Sequence, residues 1–252
     1  MEEHSALNWF ESWFDSPYYH ILYKDRDKEE AELFIDNLIH FLHPSPKAQF
    51  LDLACGKGRH AVYLNKKGFP TIGIDLSPES IAFASRFENE NLQFYVQDMR
   101  KPFRINYFDY VLNLFTSFGY FEHEKDDMAV MNSICKMLKK NGTLVIDFMN
   151  VRCVQENIIP TQEKTINDIS FKITKQIENN FIVKQIHFED KGKAYHYQEK
   201  VKLLRLSDFE RYLAAANLKI VNLFGNYQLQ PFDCGASERL IIVAQKNESK
   251  NI

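Results

Sequence analysis

One stretch, FLDLACGKGRHA at positions 50–61, constrains this chain more than any other. The apolar run at its start reads as a buried parallel strand, Gly56 and Gly58 as a tight turn without side chains, and Arg59 onward as the start of a helix. A turn of this kind presents backbone N–H groups to a ligand. Asp52 interrupts the apolar run where a strand buried on both faces should carry no charge. A carboxylate kept there suggests a ligand with a cationic part.

The spacing Gly56-x-Gly58-x-x-Ala61 satisfies the dinucleotide fingerprint G-x-G-x-x-G/A. The segment also resembles the first motif of class I S-adenosylmethionine (SAM)-dependent methyltransferases, in which an acid precedes a G-x-G turn. The order of the downstream segments favours the second reading. The run FPTIGID at 69–75 reads as a second strand ending in Asp75, roughly 20 residues after the glycines, where a carboxylate can accept both hydroxyls of a ribose. Ser77 then reads as the N-cap of a helix, with Pro78 at its first position. A third strand at 92–97 runs into Asp98-Met99-Arg100, and a fourth at 108–114 opens into FTSFGYF at 115–121. The resemblance implies that Asp98 accepts the adenine amino group, that Met99 packs on the base, and that methyl transfer occurs at the loop after the fourth strand. It further implies SAM as cofactor, S-adenosylhomocysteine as product and no metal, with cofactor contacts from Asp52, Ala54, Gly56, Gly58, Arg59, Asp75, Leu76, Asp98, Met99 and Asn113.

The remaining pattern extends this plan. Met128, Met131, Ile134, Cys135 and Leu138 fall at helical spacing, Asn141-Gly142 reads as the helix end, and a fifth strand comes next at 143–148. Ser207-x-x-Glu210 reads as a capping box, ahead of apolar runs at 219–224 and 239–244. In the family these last strands form a hairpin. The expected fold is therefore α/β, a doubly wound, mostly parallel seven-stranded sheet with one antiparallel strand near the C-terminus. Its core is expected over 47–150 and 205–247. Between 151 and 204 the pattern changes to three strand-like runs, at 169–173, 181–188 and 195–204, with turns at Asn179-Asn180 and Asp190-Lys191-Gly192-Lys193. An inserted antiparallel β subdomain is expected there. In related enzymes such an insertion walls the substrate pocket, which makes Tyr197 a substrate candidate, or pairs subunits, which makes a homodimer one expectation.

A chain of 252 residues, 45% of them hydrophobic, is long enough for one large core and a subdomain. Its net charge of −3, with no basic run, argues against nucleic acid as the partner. Cys55, Cys135, Cys153 and Cys234 form no C-x-x-C pair, which suits a reducing cytoplasm and neither a disulfide framework nor a zinc site. The acidic start lacks an apolar signal core, and no apolar stretch approaches membrane-spanning length. A soluble, cytoplasmic protein is expected.

The N-terminal residues 1–46 are expected to form a helical cap. Trp9, Phe10 and Trp13 read as an aromatic stripe packed on the flank of the core sheet. Tyr18, Tyr19, Tyr23 and Arg26 fall in a polar stretch before the helical pattern of Ala31, Phe34, Leu38 and Leu42. There Tyr18 and Tyr23 could face a sulfonium and Arg26 could pair with the methionyl carboxylate, as a lid would. The methyl of SAM leaves behind a neutral thioether, so catalysis reduces largely to in-line placement of the acceptor with water excluded. A neutral amine would need little acid–base help. A hydroxyl or carbon acceptor would need a base, for which Tyr120, His123 and His196 are the candidates, Tyr120 being also the best substrate contact. The expected function is SAM-dependent methylation of a small molecule, at nitrogen ahead of oxygen. The alternatives are a dinucleotide-dependent (NAD(P) or FAD) oxidoreductase and a non-catalytic SAM-binding regulator.

Overall fold

A computed structural model describes residues 9–23 and 28–247. These form two compact units, one holding 9–23 with 157–203, the other 28–156 with 204–247. The cap expected over 1–46 is thus divided between them. Arg26 lies outside the described residues.

In chain order the elements begin with α1 (Trp9–Phe14), α2 (Pro17–Leu22) and α3 (Lys28–Leu42). The alternating core comes next: β1 (Phe50–Leu53), α4 (Arg59–Lys66), β2 (Thr71–Asp75), α5 (Pro78–Ala84), β3 (Leu92–Val96), β4 (Phe108–Asn113), α6 (Glu124–Met137), β5 (Leu138–Met149) and α7 (Val151–Glu156). Then come β6 (Thr161–Ile166), β7 (Ile169–Glu178), β8 (Phe181–Asp190) and β9 (Lys193–Lys202), before the core resumes with α8 (Leu206–Ala215), β10 (Leu218–Phe224) and β11 (Arg239–Lys246). Among the described residues no helix is long and apolar enough to cross a membrane.

In the larger unit the strand order is β10-β11-β5-β4-β1-β2-β3. Every pair is parallel except those made by β11, which runs antiparallel to both β5 and β10. Because β1 and β4 are both central, β1 is buried along its whole length and β4 at Phe108 and from Val111 to Asn113, which is why these stretches are largely apolar. Phe34, Ile35 and Leu38 of α3 pack with Phe50, Leu112, Val145, Ile241 and Val243 in one apolar cluster, and Ala61, Ile81, Ala84, Leu92 and Phe94 form another. The chain winds from β1 outward to β3 in one direction and from β4 outward in the other. The switch point therefore lies between the carboxyl ends of β1 and β4, where open α/β sheets bind ligands.

Two local expectations are corrected. The helix α6 stops at Met137, and Asn141-Gly142 do not cap it. Phe108 pairs with Leu138 and Tyr110 already with Thr143, so residues 139–142 bulge out of β5, and Asn141 takes the left-handed backbone (φ 59°) that lets them return. The helix α8 begins ahead of Ser207. Its end is closed by Asp208, whose Oδ2 accepts the Arg205 N–H at 2.9 Å, rather than by the pair Ser207 and Glu210.

The smaller unit is an antiparallel sheet in the order β6-β7-β8-β9. Its hairpins close on Asn167-Asp168, Asn179-Asn180 and Lys191-Gly192, each pair with φ positive at both residues. This is the turn geometry whose twist matches that of paired strands, and Asn, Asp and Gly reach it at least cost. The sequence pattern missed β6 because it is almost wholly exposed and shows no apolar alternation. Ile169, Phe171 and Ile173 of β7 and Ile186 and Phe188 of β8 bury one face of the sheet against Trp13 and Leu22. The aromatic N-terminal helices are thus the second layer of this sheet. Trp13 is fully buried, its ring 4.6 Å from that of Tyr197.

Candidate active site

The turn after β1 needs unusual backbone. Ala54, Gly56 and Gly58 have φ of 62°, 54° and 78°, a region glycine enters freely and alanine only at a cost. A Cβ on Gly58 would lie 2.6 Å from the Phe94 ring, whereas one on Gly56 would meet nothing within 4 Å. Gly58 is glycine for packing; Gly56 leaves an open face over the turn. Asp75, at the end of β2, accepts the Gly56 N–H through Oδ2 (2.7 Å) and the Ser77 N–H through Oδ1 (2.9 Å), binding the turn to the next strand. Leu76 beside it is exposed.

Asp52 is buried beneath the turn, and its Oδ2 accepts the Ala61 N–H of α4 at 3.1 Å. Burial pushes its pKa up to about 7, against the opposing pull of that hydrogen bond and the Arg59 charge. Burial, with Arg59 adding to it, drives His60 down to about 3, and its buried Nε2 has no hydrogen-bond partner.

At the end of β3, Asp98 is bound by its near neighbour. Arg100 donates from Nε and Nη2 to the carboxylate (3.0 and 2.7 Å) and from its backbone N–H (2.9 Å), while Nη1 reaches Asp126 at 3.2 Å. Partial burial disfavours the Asp98 charge, but the Arg100 hydrogen bonds outweigh it, and its pKa is lowered. A further donor would share this carboxylate with Arg100. Met99 is half-buried between them.

At the end of β4, Asn113 is fully buried, donates to the Leu53 carbonyl at 3.0 Å, and leaves Oδ1 without a donor. Past Leu114, Phe115 and Thr116 both have left-handed backbone (φ 64° and 59°), although neither is glycine. Both N–H groups go to Asp147 on β5: Phe115 to Oδ2 (2.8 Å) and Thr116 to the carbonyl (2.9 Å). Asp147 is fully buried and also accepts Arg239 Nε (2.8 Å) and the Tyr227 hydroxyl (3.1 Å), and Arg239 Nη2 continues to Thr116 Oγ1 (2.9 Å). Burial opposes the Arg239 charge, but Asp147 more than restores it and its pKa is raised; burial and Asp147 together keep the Tyr227 hydroxyl protonated. The Arg59 guanidinium lies 4.1 Å over the Phe115 ring, joining the loops after β1 and β4 at the switch point. Asp147, Tyr227 and Arg239 were not singled out in the sequence. The signal was there for Asp147, an acid within the apolar strand LVIDFM, as it was for Asp52.

The other expected site residues are divided between the two units. The Tyr120 hydroxyl donates to the Thr116 carbonyl at 2.5 Å, bracing the loop from within. His123 is exposed at the start of α6. In the smaller unit His196 is exposed on β9, stacked on His187 with ring centroids 4.3 Å apart. Tyr18 donates to Asp190 (2.9 Å) and packs its ring at a tilt against Phe188 and Tyr195, while Tyr23 donates to Glu199 (2.6 Å), which also accepts from Trp13 Nε1 (2.8 Å) and pairs with Lys184 (3.2 Å). Tyr197, expected to face a substrate, packs its ring at a tilt against Trp13 and has its hydroxyl 3.3 Å from Ser16 Oγ.

A doubly wound sheet with a glycine turn after β1 and acids closing β2 and β3 defines a nucleoside-binding enzyme of the methyltransferase type. A family model described as a methyltransferase domain matches residues 44–203, and the chain belongs to that family. It is 26% identical over 220 residues to the dTDP-3-amino-3,4,6-trideoxy-alpha-D-glucopyranose N,N-dimethyltransferase of Streptomyces venezuelae, covering 82% of this chain and 91% of that one. It is likewise 26% identical to the glycine/sarcosine N-methyltransferase of Parasynechococcus marenigrum (strain WH8102), covering 79% and 72%. In fold it matches an S-adenosylmethionine-dependent methyltransferase from Clostridium acetobutylicum ATCC 824, with a TM-score of 0.77 and 20% identity over 92% of this chain and 96% of that one.

Proposed function

We propose that this protein transfers a methyl group from SAM to a nitrogen of a small-molecule amine. The observation that carries the cofactor is the row of polar groups along the carboxyl edge of the sheet, Asp98, Asp75, the open turn at Gly56, then Arg59 and Asn113. These fit the parts of SAM in sequence: an acceptor for the adenine amino group, an acceptor for the ribose hydroxyls, and a buried acceptor with a cation near the amino-acid end. Leu76 and Met99 supply apolar surface beside the base. When bound, SAM supplies a methyl on a sulfonium whose leaving group is a neutral thioether.

Nitrogen is favoured over oxygen because none of the three base candidates stands ready for proton abstraction. Tyr120 is engaged with Thr116, and His123 and His196 are exposed. A neutral amine needs orientation more than a base. The two relatives named for their acceptors both methylate amines. The family match lends no support to the oxidoreductase or non-catalytic alternatives. The tyrosines expected as a lid are engaged within the strand unit, so this reading rests cofactor binding on the core alone. We place the enzyme in the cytoplasm on its cysteine pattern.

S-adenosylhomocysteine should raise the melting temperature and NAD and FAD should not, since a ligand that binds only the folded state stabilises it. Stabilisation by NAD alone would overturn the cofactor. Mass spectrometry after incubation with SAM and a panel of amino sugars, amino acids and matching hydroxyl compounds should show methylated amines; methylation confined to the hydroxyl compounds would overturn the acceptor.

A further inference from the structure

Two consecutive left-handed residues that are not glycine are a strained turn, and such a turn persists only where its surroundings hold it. Here the hold converges on one residue. Asp147 takes both N–H groups of the turn through its carboxylate and its own carbonyl, and its carboxylate is fixed in turn by Arg239 and Tyr227, residues from the far end of the chain. Arg239 also binds Thr116 directly, so the turn is gripped at backbone and side chain. The Tyr227 ring lies stacked against Phe115, with centroids 6.4 Å apart, and on its other contacts meets Phe34 of α3. What this arrangement fixes is the Phe115 ring, and over that ring lies the Arg59 guanidinium.

The direction of a ligand along this edge is set by the strand order. With ribose at Asp75 on β2 and adenine at Asp98 on β3, the remaining end of an adenosyl amino acid points back across β1 toward β4. Arg59 and Phe115 stand there. We infer that Asp147, secured by Arg239 and Tyr227, is a positioning residue that holds the Phe115–Thr116 turn and so stations Arg59 to receive the carboxylate of the cofactor's amino-acid end. This rests on the SAM reading above.

The test compares two ligands that differ at that end. S-adenosylhomocysteine carries the carboxylate; 5′-methylthioadenosine keeps the adenosine and thioether and lacks it. By calorimetry, Asp147→Asn should weaken S-adenosylhomocysteine about tenfold, the worth of one charge-assisted hydrogen bond, and leave methylthioadenosine within about twofold. Arg59→Met should give the same pattern, and the double variant should be no worse than either single one, because both changes remove one interaction. In the unliganded protein, the Phe115 amide, held by the carboxylate, should exchange with solvent faster in Asp147→Asn. Should that variant fail to fold, Tyr227→Phe carries the comparison, with a loss of about threefold confined to S-adenosylhomocysteine. Equal weakening of both ligands, full retention of S-adenosylhomocysteine, or additive losses in the double variant would each overturn the inference. A wild-type protein that binds neither ligand would instead overturn the cofactor reading, and this inference with it.

Discussion

The glycine turn offers a sharp test because its two glycines are glycine for different reasons. At Gly58, alanine would keep φ near 78°, costing about 1–2 kcal/mol in the left-handed region. Its Cβ would also stand 2.6 Å and 2.7 Å from Cε1 and Cζ of Phe94. That ring cannot swing aside freely. It is buried, and its Cδ1 and Cε1 also lie 2.5 and 2.6 Å from the position a Cβ would take at Gly73, so the same edge of the ring fills the space left by both glycines. Overpacking of this kind costs about 1–3 kcal/mol, so Gly58→Ala should lose about 2–5 kcal/mol of core stability. At Gly56 only the backbone cost of about 1–2 kcal/mol applies, because no atom lies within 4 Å. Gly56→Ala instead places a methyl on the face a ligand approaches. It should fold nearly normally and bind S-adenosylhomocysteine poorly. Urea unfolding monitored by far-ultraviolet circular dichroism reads the helical core, while tryptophan emission reads the strand unit, where Trp9 and Trp13 both lie. The first signal should shift strongly in Gly58→Ala and the second should not. In a Phe94→Leu background the Gly58 substitution should fall to its backbone cost alone. Equal stability losses at Gly56 and Gly58, or no relief from Phe94→Leu, would refute the packing argument.

Three further outcomes are expected. Asp52, raised from 3.8 to about 7, binds a proton in the fold that the unfolded chain has lost, so its contribution to stability falls as pH rises through that window. His60, lowered from 6.5 to about 3, does the reverse, and its contribution falls as pH drops below 6.5. The two slopes, each up to about 1.4 kcal/mol per pH unit, nearly cancel between about pH 4 and 6.5; Asp52→Asn should expose a rising profile and His60→Gln a falling one, and parallel profiles would disprove the assignment. Asp75→Ala should weaken S-adenosylhomocysteine by about 1.5–3 kcal/mol per charge-assisted bond lost, and unchanged affinity would confine Asp75 to tying Gly56 to Ser77. Removal of residues through Arg26 takes Trp13 and Leu22 from the core of the strand unit, so residues 157–203 should become open to trypsin, and continued resistance would contradict the layered core.

What the sequence could reveal depended on how local each feature is. The turn at Gly56–Gly58 and the acids at Asp75 and Asp98 lie within a few residues of the strands that carry them, so turn chemistry and the order of motifs shared with the methyltransferases pointed to them. The end of α6 was misplaced because Asn141-Gly142 carries a helix-ending signature that β5 uses for a bulge. The grip of Asp147 on Arg239 spans 92 positions, and that of Trp13 on Glu199 spans 186. No local pattern joins such residues. The aromatic stripe at Trp9–Trp13 was legible as a packing surface, but the sheet it packs on was not, because apolar spacing says that a face is buried and not against what.

That long separation bears on how the protein is made. The sheet whose core includes Trp13 and Leu22 is completed by strands translated far later. At about 5–20 residues per second, the N-terminal helices wait roughly 10–40 s on the ribosome before β9 emerges. During that interval their aromatic faces have no native partner, while the chain from α3 to β8 is synthesised. The strand unit can close once β9 is out, whereas the larger sheet, begun earlier, still waits for α8, β10 and β11, so the newborn chain should gain resistance to proteolysis in the strand unit before the core is complete.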